Sequence, residues 1–250
     1  MNWLILRGLI REQRHWEHFP KVFEEKVPGA KVFCLDYPGI GTEHGRKSPY
    51  SIAEIQEDLR TRWLELKKKN PGDWSILAVS LGGMVSMEWT RKYPDDFKNF
   101  VVINSSISNL SPFYDRMQLP TAMKLLSLFL KGDAEYRERT ILEQTTSGRT
   151  PIEQVLKHWI SFAPPRGELK QVAAAQLLAG MKFKAHEAPQ IPVLVLTSEK
   201  DGLASTRCSQ RIAQLFKAPI HSHPWAGHDL TLEDSPWVAD QVVTWLNNRT

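Results

Sequence analysis

Cysteine is nearly absent from this chain: there are two in 250 residues, Cys34 and Cys208. Each stands in an apolar stretch, which fits buried free thiols and argues against a disulfide framework or a zinc site. No run approaches the roughly 18 consecutive apolar residues that a membrane-crossing helix needs. The opening Met1-Asn2-Trp3-Leu4-Ile5-Leu6-Arg7 has too short an apolar stretch for a secretory signal, so the chain reads as cytoplasmic. Charge of one sign is not in surplus: 32 Lys+Arg against 28 Asp+Glu leave a net of +4. The one basic run, Lys67-Lys68-Lys69, closes a helical pattern where cations favour the macrodipole, so there is no nucleic-acid footprint. Internal repeats and low-complexity tracts are missing too, which excludes solenoids and linker-like segments. What is present is an ordinary globular composition. With 42% hydrophobic residues the chain can fill a core, and sheet-based α/β folds reach this length as one unit.

Short apolar runs rich in β-branched residues recur at Trp3 to Leu6, Val32 to Leu35, Trp74 to Val79, Phe100 to Ile103, Val193 to Thr197 and Ile220 to Pro224. Continuous runs of this length predict strands buried on both faces. Helical patterns lie between them. In Ser51 to Lys69, Ile52, Ile55, Leu59, Trp63 and Leu66 recur every third or fourth residue, and Ser51 with Glu54 forms a capping box. Gly82 to Lys92, Ser205 to Phe216 and Pro236 to Leu246 are helical as well, the last with Ser235 as N-cap. Strand and helix in alternation imply right-handed crossovers: an α/β, doubly wound, mostly parallel sheet of about six strands. Residues 110–189 break the alternation with helical segments alone, Met123 to Leu130, Glu135 to Gln144, Ile152 to Phe162 and Leu169 to Met181. They read as a helical cap insertion, leaving residues 1–109 and 190–250 as the core. Leu125, Leu126, Leu128, Phe129 and Leu130 give the insertion more apolar surface than a one-sided helix hides. Packing on the core accounts for that surface, and lining a substrate pocket is the functional alternative.

Chemistry concentrates in Ile76-Leu77-Ala78-Val79-Ser80-Leu81-Gly82-Gly83-Met84, a buried strand running through small residues into a helix. A sharp strand-to-helix turn needs small side chains two positions before and after its apex, here Ala78 and Gly82. A serine at that apex projects its hydroxyl above the sheet's carboxyl edge, beside a helix N-terminus that favours an anion. Serine needs a base within hydrogen-bond reach, and the base needs an orienting acid. Asp201 follows the strand Val193 to Thr197, and His228 ends the small-residue loop Trp225-Ala226-Gly227 after the last strand.

In the order Ser80, Asp201, His228, and over essentially its whole length, the chain resembles an α/β-hydrolase with a helical cap. The nucleophile elbow of that family matches Ala78-Val79-Ser80-Leu81-Gly82. The resemblance implies that Ser80 attacks an acyl carbon, that His228 takes and returns the proton, and that Asp201 fixes the imidazole. It also implies an oxyanion hole built from the backbone N–H groups of Leu81 and of Leu9 in Leu6-Arg7-Gly8-Leu9-Ile10. Three departures stand out: Arg7-Gly8 replaces the usual His-Gly, Ala78 replaces the commoner glycine, and two strands that often precede the first are missing. The expected activity is cofactor-independent hydrolysis of a small-molecule carboxylic ester, or a thioester, through an acyl-enzyme, and the apolar cap points to a hydrophobic acyl or alcohol group in the substrate. Carbon–carbon bond hydrolysis, perhydrolysis and acyl transfer share the same triad, and a ligand receptor that kept the pocket is a further class. Dehalogenation needs an aspartate at the position of Ser80.

Other residues compete for these roles. Glu199 and Asp229 are rival acids, and Asp229, adjoining His228, points elsewhere in such a loop. Asn104-Ser105-Ser106 carries no carboxylate where some relatives place the acid. His221 and His223 share a strand face but lack a third metal ligand, and His15, His18 and His44 read as solvated loop residues. His158 and His186, in the insertion, read as ordinary. Asp36 to Gly41 has no following lysine and reads as a structural turn rather than a phosphate loop. Arg137, Arg139 and Arg166 would suit docking of an acidic acyl-carrier protein, as in relatives acting on carrier-bound methyl esters, or simply a solvated charged face.

Overall fold

The computed structural model describes residues 1–130 and 133–249, excluding the side chains at 122, 125–127, 129, 130, 166 and 168. The chain runs β1 (Asn2–Leu6), α1 (Phe19–Lys26), β2 (Lys31–Cys34), α2 (Ile52–Lys69), β3 (Trp74–Val79), α3 (Leu81–Lys92) and β4 (Phe100–Ile103). Five helices follow: α4 (Phe113–Arg116), α5 (Leu119–Leu130), α6 (Ala134–Thr145), α7 (Ile152–Ser161) and α8 (Arg166–Lys182). The chain then returns to the sheet through β5 (Val193–Ser198), α9 (Thr206–Phe216), β6 (Ile220–His223), α10 (Leu230–Glu233) and α11 (Ser235–Asn247).

All six strands are parallel, in the order β2-β1-β3-β4-β5-β6, so the strand that ends at Ser80 is central. Alternation along each strand divides the interior into two apolar layers. Leu4, Leu6, Ile76 and Ala78 face α2, α3 and α9, whereas Trp3, Ile5, Leu77 and Val79 face α1 and α11. Burying each large aliphatic side chain contributes about 1.5–3 kcal/mol, and β1, β3, β4 and β5 hide nearly all of theirs. The two outer strands do not match the both-faces-buried expectation: β2 and β6 keep exposed positions because each has one neighbour only. For the same reason Cys34, on β2, is half-buried while Cys208 is buried, and both thiols are free.

Ser51 caps α2 as its sequence predicts, accepting from Glu54 N at 3.2 Å. The cap of α11 is one residue earlier than expected: Asp234, not Ser235, accepts from Trp237 N at 3.0 Å, and Ser235 donates to Thr231 O instead. The helices between β4 and β5 pack partly on the sheet and partly on one another. Val172 and Ala179 of α8, with Phe183 just after it, join one sheet layer, while Leu142, Leu156 and Trp159 of α6 and α7 form a small cluster with Leu232. Of the apolar run in α5, only Leu128 has a described side chain, and it is half-buried; Leu125, Leu126, Phe129 and Leu130 lie outside the described side chains.

Candidate active site

Ser80 joins β3 to α3 with φ +54° and ψ −115°, a conformation that a non-glycine residue keeps only when its surroundings hold it. Ser80 N donates to Ile103 O at 2.9 Å, and Ser105 Oγ donates to Ser80 O at 2.7 Å. The small residues around the turn have the steric reason read from the sequence. A Cβ on Gly82 would stand 2.6 Å from Leu6 O and 2.7 Å from Arg7 O, so a side chain there would force β1 and α3 apart. A Cβ on Gly8 would stand 3.3 Å from that of Ser80, which brings the loop after β1 against the serine. Leu9, Ser80, Leu81 and His228 accordingly line one cavity of about 80 Å³. As the first residue of α3, Leu81 has an N–H with no intrahelical acceptor.

The acid and the imidazole meet at the next strand ends. His228 Nδ1 lies 2.7 Å from Asp201 Oδ2, and Asp201 Oδ1 accepts from Leu203 N and Ala204 N at 2.8 and 2.9 Å. Both carboxylate oxygens are thereby occupied. The rival acid Glu199 is exposed and accepts from Ser222 Oγ instead. Burial opposes a charge on His228, but the charges of Asp201 and Asp229 and the hydrogen bond to Asp201 outweigh it, so its pKa rises above the ordinary histidine value. Among the described residues no hydrogen bond joins Ser80 Oγ to the imidazole, a contact that tightens in serine enzymes when substrate binds.

Two site residues escaped the sequence reading. Asn104, with φ +47°, donates from Nδ2 to His228 O at 2.9 Å and to Ser198 Oγ at 3.0 Å, tying the ends of β4 and β5 to the histidine loop. The sequence marks its position after β4 only as one that carries no carboxylate. Arg7 is the second. Its guanidinium grips Asp229 at both ends, Nη1 to Oδ1 at 3.0 Å and Nη2 to Oδ2 at 2.6 Å, and stands 4.7 Å from the Trp16 ring centroid. Asp229 does point away from His228, and what it points at is the arginine that replaces the usual histidine. Despite the carboxyl's burial, that guanidinium holds Asp229 below the usual carboxylate range.

Other candidates sit elsewhere. His15 is not solvated: a one-turn helix, Gln13–Trp16, tucks it beneath Trp159 and Phe162. Burial there, with Arg11 and Arg7 nearby, pushes its pKa well below the ordinary value. His18 and His44 are exposed as expected; His158, which lies 2.8 Å from Glu17 Oε1, and His186 are exposed too. His221 bonds Gln241, and His223 bonds Asp234 at 3.1 Å. Among the described residues no three His, Cys, Asp or Glu side chains are grouped to hold a metal. Asp36 is buried, accepts from Gln13 N and Thr42 N, and packs against Gly41 at φ +55°, so residues 36–41 are a turn. Arg137 is buried against Glu138, Arg139 pairs with Glu135 and Glu153, and the Arg166 side chain lies outside the described ones.

Residues 4–234 match the family described as the alpha/beta hydrolase fold. The chain belongs to that family. Two solved alpha/beta hydrolases illustrate the likeness. An esterase from Thermogutta terrifontis is 18% identical, with a TM-score of 0.75 over 99% of this chain and 90% of its own. The 2-hydroxy-6-oxo-6-phenylhexa-2,4-dienoate hydrolase of a Rhodococcus species is 18% identical, with a TM-score of 0.79 over 100% and 90%. At such identity they share the fold. The biotin biosynthesis bifunctional protein BioHC of Teredinibacter turnerae is 21% identical over 98% of this chain, which spans only 44% of that protein. No helix among the described residues of this alpha/beta hydrolase is long and apolar enough to cross a membrane.

Proposed function

We propose that this alpha/beta hydrolase is a serine hydrolase that cleaves a small carboxylic ester, or a thioester, through an acyl-enzyme. One observation carries the reading. His228, 2.7 Å from the buried Asp201, lines the same cavity as a serine held at φ +54°. Ser80 Oγ attacks the acyl carbon as His228 Nε2 takes its proton. Two amides, Leu9 N–H and Leu81 N–H, then stabilise the oxyanion, each worth on the order of 10²-fold to 10³-fold. As the tetrahedral intermediate collapses, the bond to the leaving oxygen breaks and His228 gives that oxygen the proton. Water repeats the sequence on the acyl-enzyme: His228 takes a proton from it, and the bond to Ser80 Oγ breaks as that oxygen is reprotonated. The net change is ester plus water to acid plus alcohol. Asp201 keeps Nδ1 protonated, leaving Nε2 to act as base. Every group these steps require is a side chain or an amide of this chain.

We assign residues 110–189 the role of a cap, since Met117, Gln176 and Met181 from that stretch line the cavity with Ser80. The two free thiols fit a reducing compartment, the cytoplasm. The decisive test is Ser80→Ala. It should lower turnover of short esters by at least about 10³-fold and abolish labelling by a fluorophosphonate, with the far-UV spectrum unchanged. Wild-type turnover in that variant would remove Ser80 from the reaction.

A further inference from the structure

The cavity that holds Ser80 carries a cation that no carboxylate among the described residues neutralises. Among the described residues that line it there is no Asp or Glu, and apart from His228 the only ionisable side chain is Arg116, at the end of α4. No carboxylate among the described residues lies within ion-pair reach of its guanidinium. Its neighbour in sequence, Asp115, is turned the other way, with Arg207 and Arg211 each at 2.8 Å.

What holds Arg116 in place is neutral. Nε donates to Ser106 Oγ at 3.3 Å, Nη1 to Met181 O at 3.3 Å and Nη2 to Gly180 O at 2.7 Å. The two carbonyls belong to the last turn of α8, where the helix dipole is negative. They fix the plane of the guanidinium without neutralising it. Of its five N–H groups, three are used and two remain. Burial disfavours the charge and moves the Arg116 pKa below its ordinary value, and the nearby Cys208 thiol offsets only part of that cost.

The cation shares a wall with the nucleophile. Gly180, which receives Nη2, would place a Cβ 3.3 Å from Leu81 Cδ1, and Leu81 follows Ser80. Met84, Phe113 and Met117 make most of the remaining lining apolar. A planar donor fork fixed in an apolar cavity suits a carboxylate, which it can hold through two parallel hydrogen bonds. Arg116 and Ser80 line the same cavity, so a carboxylate held at the guanidinium and a carbonyl at the serine would belong to one short substrate.

We propose that Arg116 is the anion subsite of this cavity and that the substrate is a short ester bearing a free carboxylate. The inference rests on the serine-hydrolase reading and names its substrate class. Two matched pairs test it: monomethyl glutarate against methyl pentanoate, with the charge on the acyl side, and acetoxyacetate against propyl acetate, with the charge on the alcohol side. Turnover is followed by pH-stat, and Ser80 is probed in parallel with a fluorophosphonate. The wild-type enzyme should favour the anionic member of one pair by about tenfold or more in kcat/KM, and the pair that responds tells which side faces Arg116. In Arg116→Gln that ratio should fall to one or below, and Arg116→Lys should keep part of it.

A wild-type ratio at or below one in both pairs overturns the subsite. So does an Arg116→Gln variant that loses both members equally along with thermal stability, which leaves Arg116 only the task of holding the end of α8. A labelled enzyme that turns over none of the four esters also rejects the subsite, without touching Ser80. An enzyme that is neither labelled nor active rejects the serine-hydrolase reading itself, and the subsite with it.

Discussion

At the scale of single residues, the ion pair between Arg7 and Asp229 sets the working conditions of His228. Both side chains are buried, 5% and 7% exposed, and they link the loop carrying Leu9 to the loop carrying His228. Asp229 raises the imidazole pKa and Arg7 lowers it, after burial and Asp201 have acted. A base works only when neutral, so kcat/KM for a short ester should rise as pH climbs through the folded-state pKa of His228. The midpoint of that acid limb should lie above the roughly 6.5 of an unperturbed histidine. The linkage to folding has the opposite course. A raised histidine pKa stabilises the folded chain below about 6.5, and that contribution is lost as pH rises through the folded value. Asp229→Asn removes a charge that raises the pKa and leaves Arg7 buried without its partner, so the acid limb should move to lower pH. Stability should fall by about 3–5 kcal/mol, read from urea unfolding. A limb unmoved in Asp229→Asn would show that Asp229 does not act on the imidazole. None of this pairing is legible in the sequence, because Arg7 and Asp229 lie 222 residues apart and no local pattern joins them. The replacement of His-Gly by Arg7-Gly8 marks the position but not its partner.

At the scale of elements, the turns at the sheet's carboxyl edge are packed so closely that glycine is required at two of them. Gly82→Ala would bring a methyl 2.6 Å from Leu6 O. The expected result is a loss of about 2 kcal/mol, or a fall of roughly 4–8 °C in Tm, together with lower kcat because the shifted backbone carries Leu9 and Leu81. Gly227→Ala meets Thr145 O at 2.7 Å and Thr146 C at 2.8 Å, so it should displace the His228 loop and cut turnover while the labelling of Ser80 slows in parallel. These elements were the most readable part of the chain. Strands buried on both faces are continuous apolar runs, and the elbow's small residues follow from backbone crowding that any sequence must meet there. Readability failed where a long-range partner decided the outcome. His15 lies in polar Arg11-Glu12-Gln13-Arg14 and looks solvated, but Trp159 of α7 covers it. Asp234 caps α11 in place of Ser235 because Ser235 Oγ turns back to Thr231 O. Asn104 matters through the carbonyl of His228, and no local pattern announces such a contact.

At the scale of the whole molecule, the question is whether the helices between β4 and β5 open as a unit or are part of the fold. Buried and half-buried bonds fasten them to the core at several separate places. Arg11 Nη1 meets Glu138 Oε2 at 2.7 Å with both side chains buried, and Asp229 N donates to Thr145 O at 2.8 Å. Ser147 N donates to Glu233 Oε1 at 2.9 Å, and Trp159 Nε1 donates to Glu17 Oε1 at 2.7 Å. In α8, Gln176 Oε1 accepts from Ile10 N at 2.8 Å, next to Leu9. Swinging the helices away would break all of these at once and expose the faces of Val172, Ala179 and Phe183. Unfolding should therefore be a single cooperative transition, with tryptophan fluorescence and far-UV circular dichroism giving the same midpoint. Glu138 is the most sensitive point, since its carboxylate faces both Arg11 and Arg137. Glu138→Gln leaves two buried guanidinium groups without a counter-charge, and the midpoint should fall by roughly 6–12 °C, about 3 kcal/mol, with the two probes still coincident. Probes that separate, with the tryptophan signal leading, would instead make the helical segment a subdomain that opens ahead of the sheet, and access to Ser80 would then be governed by that opening.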